Sequence, residues 1–156
     1  MVTTDFRKII IIRHGVYDAT DRLDATGQRQ MQALIDPLKQ HLAGESNVLL
    51  LTSSAPRAED SMKILSEGLG LPYEAHPYFW SDNGHSQDNF RAKELLIEKA
   101  TEKKADVIVL VTHLEYANGF PRYIVAEAGK SFVRYVSMEK GDMLFIDMEK
   151  EITRRY

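Results

Sequence analysis

The sequence predicts an α/β fold: a three-layer α/β/α sandwich built on a mostly parallel central sheet of about five to six strands. Three observations carry that expectation. Short apolar runs without polar alternation recur at residues 8–12, 48–51 and 107–112, the pattern of strands buried on both faces. Longer stretches with apolar residues at helical spacing lie between them. The chain has 156 residues, the size of one domain, 1–156, which buries roughly two thirds of its unfolded surface.

Taken in order, residues 8–12 read KIIII, a β-branched strand that runs directly into Arg13-His14-Gly15. In 26–42, Met31, Leu34, Ile35, Leu38 and Leu42 mark one helical face, and Pro37 inside it is expected to kink or break the helix. Residues 48–51 form a second strand. Ala58, Met62, Leu65 and Leu69 mark a second helix, with Ser53 or Ser54 as its N-cap and Gly70 as its stop. Residues 72–75 read as a short strand, 79–89 as loop and 90–103 as a charged helix. Residues 107–112 are a third buried strand. Residues 123–128 look helical and end on Gly129, and 132–136 and 143–148 close the chain as strands.

Composition excludes several classes. Net charge is −3, which gives no support for nucleic-acid binding. There are no cysteines, so disulfides, thiolate metal sites and a cysteine nucleophile are ruled out. The first residues, MVTTDFRK, contain no apolar signal core, and no run approaches the ~18 apolar residues of a membrane span. The expectation is a cytoplasmic protein with no membrane partner.

In open α/β sheets ligands bind at the carboxyl ends of the strands. Arg13, His14 and Gly15 follow the first strand, Ser53 and Ser54 the second, with Arg57 in the next helical turn, and His113 the third. Guanidinium forks match a tetrahedral oxyanion, and a helix N-terminus near Arg57 favours an anion. Neutral imidazole is a competent nucleophile at neutral pH, and a second, protonated imidazole stabilises charge on a phosphoryl group. Any one of these residues says little; their coincidence at three strand ends reads as a phosphate-transfer pocket without metal or cofactor. Asp18, Asp21 and Asp24 lie nearby, but two arginines would repel a cation.

These segments resemble the histidine phosphatase superfamily, whose fold is phosphoglycerate mutase-like. Arg13-His14-Gly15 resembles its nucleophile motif. Residues 23–30, LDATGQRQ, resemble its "L-T-x-x-G-x-x-Q" segment, and 53–61, SSAPRAEDS, its "S-x-x-x-R-A-x-x-T" segment with Ser61 in the threonine's place. Val111-Thr112-His113 resembles its second-histidine strand. The short chain and the run after His113 are most similar to small bacterial phosphohistidine phosphatases, although Asn118-Gly119-Phe120-Pro121 reads as a lengthened turn. The resemblance implies a covalent phosphohistidine intermediate on His14. Arg13, Arg57 and His113 would hold phosphoryl oxygens, with Gly15 and Ser53 also lining the substrate.

One position departs from that pattern. Most phosphomonoesterases of the superfamily carry a carboxylic acid after the third strand, as proton donor to the leaving oxygen. This chain reads HPYFWSDNGH over residues 76–85, without a glutamate. Asp82 is the nearest carboxyl, with His85, Asp88 and Glu115 as further candidates. General acid help is worth roughly 10²–10⁴-fold for an ester, whereas phosphohistidine leaves as neutral imidazole and depends on it less. The expected substrate is therefore a phosphorylated protein or a small phosphorylated compound, with phosphohistidine favoured. A small-metabolite phosphomonoesterase, a mutase-like enzyme and a non-catalytic phosphate- or phosphoprotein-binding module are the alternatives. Tyr78, Phe79 and Trp80 either line the pocket mouth or pack the loop onto the core.

Overall fold

The computed structural model describes residues 6–80, 89–133 and 137–156. Six strands form one sheet: β1 (Lys8–Arg13), β2 (Val48–Ser53), β3 (Tyr73–His76), β4 (Val107–Thr112), β5 (Met143–Asp147) and β6 (Ile152–Arg155). Their order across the sheet is β3-β2-β4-β1-β5-β6. The β3-β2, β2-β4 and β4-β1 pairs are parallel, and β1-β5 and β5-β6 are antiparallel. The α-helices are α1 (Ala25–Leu42), α2 (Pro56–Leu69), α3 (Asn89–Lys103) and α4 (Leu114–Glu127). The expected mixed α/β sandwich with a mostly parallel sheet is therefore the observed one.

Why the central runs carry no polar alternation is visible in the packing. In β1, Ile9 and Ile11 join a core cluster with residues of α3 and α4, including Leu96, Phe120 and Ile124. Ile10 and Ile12 join the opposite cluster with Met31, Leu34 and Leu38 of α1 and Met62 and Leu65 of α2. Successive side chains point to opposite faces, and both faces are covered. All four isoleucines are fully buried, each contributing about 1.5–3 kcal/mol of apolar burial.

Several local expectations change. Pro37 does not break α1, which continues to Leu42; Ala33, whose carbonyl loses its helical donor, is exposed to solvent. The N-cap of α2 is Ala55, with no side-chain cap, and Pro56 opens the helix, a place where its missing N–H costs nothing. Gly70 stops α2 in the left-handed conformation, φ 70°, as expected. The Asn118-Gly119-Phe120-Pro121 turn does not exist: α4 starts at Leu114 and runs through it. Tyr116, Ala117, Phe120, Ile124 and Val125 are buried along one face of that helix, and this burial outweighs the local turn preference. Phe132 and Val133 are not in a strand, and 134–136 lie outside the described residues. Residues 79–89 divide into the end of a 3₁₀ turn (Pro77–Phe79), Trp80, residues 81–88, which lie outside the described residues, and Asn89, which opens α3. The closing strand β6 has no counterpart in the sequence pattern. It is an exposed edge with two arginines, a charged edge of the kind that discourages further pairing. Among the described residues no helix is long and apolar enough to cross a membrane.

Candidate active site

Because β2, β4 and β1 are parallel neighbours, their carboxyl ends meet. Arg13 lies in register with Thr112, and Thr52 with Val111. The chain then turns out of β1 at His14 and out of β4 at His113, and the two imidazole rings are 5.0 Å apart. Arg57, near the start of α2, brings a buried guanidinium between them. His113 is itself the N-cap residue of α4, so two helix N-termini frame the site.

Hydrogen bonds fix the tautomers. His14 Nδ1 is 2.9 Å from Gly15 O. A carbonyl only accepts, so Nδ1 carries the proton and donates. Arg57 Nε donates to His14 Nε2 at 3.2 Å, so Nε2 presents its lone pair. Arg57 Nη2 lies 3.2 Å from His113 Nδ1 and can only donate there. Neutral His113 then carries its proton on Nε2 and donates to Ser53 Oγ at 2.7 Å. Ser53 Oγ also accepts from Ala55 N–H at 3.0 Å. The third guanidinium nitrogen, Arg57 Nη1, donates to Asp21 Oδ1 at 2.6 Å.

Burial first, then the electrostatic influence of His14, Arg57 and Arg13, lowers the His113 pKa to about 2. Taking a charge out of water beside other cations disfavours the imidazolium. Arg13 Nη1 donates to Met138 O at 3.0 Å, while its Nε is buried with no hydrogen-bond partner among the described residues.

The motif glycines act by close approach. A Cβ on Gly15 would lie 2.9 Å from Gly27 Cα and Gly27 O, and one on Gly27 would lie 2.1 Å from Val16 O. The loop after β1 and the first turn of α1 therefore touch backbone to backbone. Asp24 caps that turn by accepting from Gly27 N–H at 2.8 Å. Gly15 N–H donates to Ser61 Oγ at 3.1 Å, and Ser61 Oγ donates to Arg57 O at 2.8 Å, tying the nucleophile loop to α2.

The aromatic cluster splits between the two roles considered for it. Phe79 is buried in the core, and its carbonyl accepts from Thr112 Oγ1 at 2.6 Å. Tyr78 is exposed. Trp80 stacks on His113, with ring centres 6.0 Å apart. Tyr17 closes the other side, edge-on to His14 at 5.3 Å and 4.8 Å from Arg57 Cζ. Neither Tyr17 nor the Asp21 contact to Arg57 stands out in the sequence; their only signal is a place in the loop after the nucleophile strand. Of the proton-donor candidates, Asp82, His85 and Asp88 lie outside the described residues, and Glu115 is exposed in the first turn of α4.

No family model and no curated protein matches the chain. Solved structures do. The protein histidine phosphatase SixA, solved with tungstate, is 20% identical with a TM-score of 0.62, the match covering 96% of this chain and 94% of that one. The mycobacterial glucosyl-3-phosphoglycerate phosphatase is 15% identical with a TM-score of 0.59, covering 96% and 97%. The fold is that of the histidine phosphatases. Within the histidine phosphatase fold, Arg13, His14, Arg57 and His113 stand together at the carboxyl edge of the sheet, where a doubly covered α/β sheet places its ligands.

Proposed function

We propose that this chain is a metal-independent phosphatase that forms a covalent phosphohistidine on His14, with phosphohistidine as its favoured substrate. The observation that carries the reading is Arg57 Nε donating to His14 Nε2 while His14 Nδ1 donates to Gly15 O. It holds the imidazole as a neutral nucleophile with its lone pair aimed at the guanidinium that would receive the phosphoryl oxygens.

In the first step the phosphoryl oxygens take over the Arg57 Nε donor, and the freed Nε2 lone pair forms a bond to phosphorus as the bond to the substrate's leaving atom breaks. The leaving imidazole keeps the bonding pair and departs neutral if its ring is already protonated. Arg13 and Arg57 hold the nonbridging oxygens. His113 takes a proton on Nδ1 when the anion arrives and donates it to an oxygen. Water then attacks phosphorus, His14 is regenerated and inorganic phosphate leaves. Asp82 remains the proposed donor for an ester leaving group.

The test is an assay with EDTA on a phosphohistidine protein and on p-nitrophenyl phosphate, with the His14→Ala variant alongside. The expected result is turnover unaffected by EDTA, faster on the phosphoramidate, and abolished in His14→Ala. An acid-labile, base-stable phosphoenzyme should be trapped. Turnover surviving in His14→Ala would remove the covalent mechanism. Phosphate binding without turnover would leave the binding module.

A further inference from the structure

Residues 138–141 are built onto the nucleophile strand. Met138 O accepts from Arg13 Nη1, and Met138 N–H donates to Asn118 Oδ1 at 2.7 Å. Gly141 N–H reaches both Arg13 O and His14 O, at 3.1 and 3.0 Å. Gln30 bridges the two segments: its Nε2 donates to Lys140 O at 3.1 Å and its Oε1 accepts from Val16 N–H at 3.0 Å. Gly141 sits at φ 84°, and a Cβ there would lie 2.7 Å from the Gln30 side chain. The turn is closed around Gln30, so its place relative to His14 is set by the backbone.

From this turn the Lys140 ammonium lies 4.9 Å from the centre of the Tyr17 ring. The same ring meets His14 edge-on and carries the Arg57 guanidinium. Lys140 is thus one aromatic ring away from the nucleophile and from the phosphate-facing arginine. Among the described residues no carboxylate pairs with Lys140, and it is the lysine placed over the ring that meets both His14 and Arg57. Lys140 is half-buried, and an ammonium held over an aromatic face keeps its charge available to an arriving anion.

We infer that Lys140 and Tyr17 form a rim subsite for a carboxylate that the substrate carries beyond its phosphoryl group. One ammonium balances one negative charge, which suits a carboxylate better than a second phosphate dianion. The inference rests on the phosphatase reading above and narrows its substrate class. The carboxylate belongs either to an acidic residue beside the phosphorylated side chain of a protein or to a small carboxylated compound.

The test compares kcat/KM for p-nitrophenyl phosphate and 3-carboxy-4-nitrophenyl phosphate in the wild type, Lys140→Gln and Lys140→Glu. A second pair consists of phosphohistidine peptides with Glu or Gln next to the phosphorylated residue. Comparing variants across each pair cancels the intrinsic reactivity difference of the two substrates. The expected result is that Lys140→Gln lowers kcat/KM for a carboxylated substrate about five-fold, the scale of one partly exposed ion pair. Its uncharged partner should stay within about two-fold, and Lys140→Glu should extend the loss. Raised salt should weaken the effect in the wild type. An effect in the peptide pair alone assigns a protein source, and one in the aryl pair alone a small molecule. Turnover of all substrates with Lys140→Gln affecting the carboxylated and uncharged members of each pair equally overturns the subsite and leaves the phosphatase standing. No turnover of any substrate overturns both.

Discussion

At the scale of single residues, Arg57 organises the site, because its three nitrogens reach three different partners, His14, His113 and Asp21. The proton on His113 follows from that. Its folded pKa lies well below the ordinary value of 6.5. As pH falls below about 6.5 the unfolded chain takes up a proton that the folded chain refuses, so stability declines toward acid, by at most about 1.4 kcal/mol per pH unit for this group. An oxyanion against Nδ1 reverses the preference. Tungstate, a dianion near neutral pH, should therefore bind with proton uptake, measured by calorimetry in buffers of different ionisation enthalpy. His113→Gln should abolish the uptake, and a binding enthalpy independent of buffer would refute this role. Asp21 sits at φ 64°, a conformation that strains a non-glycine residue. Asp21→Gly should relieve that strain while releasing Arg57. The expected outcome is an unchanged or slightly raised Tm with kcat/KM lowered about ten-fold, the worth of one charge-assisted hydrogen bond. Equal activity in the variant would show that Arg57 needs no such partner.

At the scale of elements, legibility in the sequence tracks how local each signal is. β1, β2 and β4 are readable because strands covered on both faces show unbroken apolar runs, and their ends lead to His14, Arg57 and His113. The first half of α4 is not, because Asn118-Gly119-Phe120-Pro121 carries turn chemistry that only the buried face of the helix overrides. β6 escapes notice since an exposed edge strand has no apolar alternation to read. Gly15 reads locally as a residue lining the substrate, whereas its requirement comes from Gly27, a long-range contact with no trace in local sequence. That contact gives an element-level prediction. Gly27→Ala puts a methyl 2.1 Å from Val16 O, and backbone must move apart to admit it. The expected cost is about 1–3 kcal/mol, read as a lower urea midpoint, together with lost activity as the nucleophile loop shifts. An unchanged midpoint would show that the α1 turn and the loop are not in close contact.

For the whole molecule, the site joins parts that otherwise belong to different halves of the fold. His14 follows β1 in the loop that leads to α1, Arg57 comes from α2 on one face of the sheet, and His113 opens α4 on the other. An anion held by all of them links both faces, so its binding free energy adds to global stability. With a ligand at 100 times its Kd, that amounts to about 2.7 kcal/mol, and for a domain of this size each kcal/mol moves Tm by roughly 2–4 °C. Saturating tungstate should therefore raise Tm by roughly 5–10 °C, followed by calorimetry at neutral pH. Arg57→Gln removes the donor shared by both histidines and should cancel most of the rise. Lys140→Gln should leave it nearly intact, because tungstate carries no carboxylate for the rim. A rise of equal size in Arg57→Gln would place the anion elsewhere on the molecule and detach the strand-end cluster from phosphate binding.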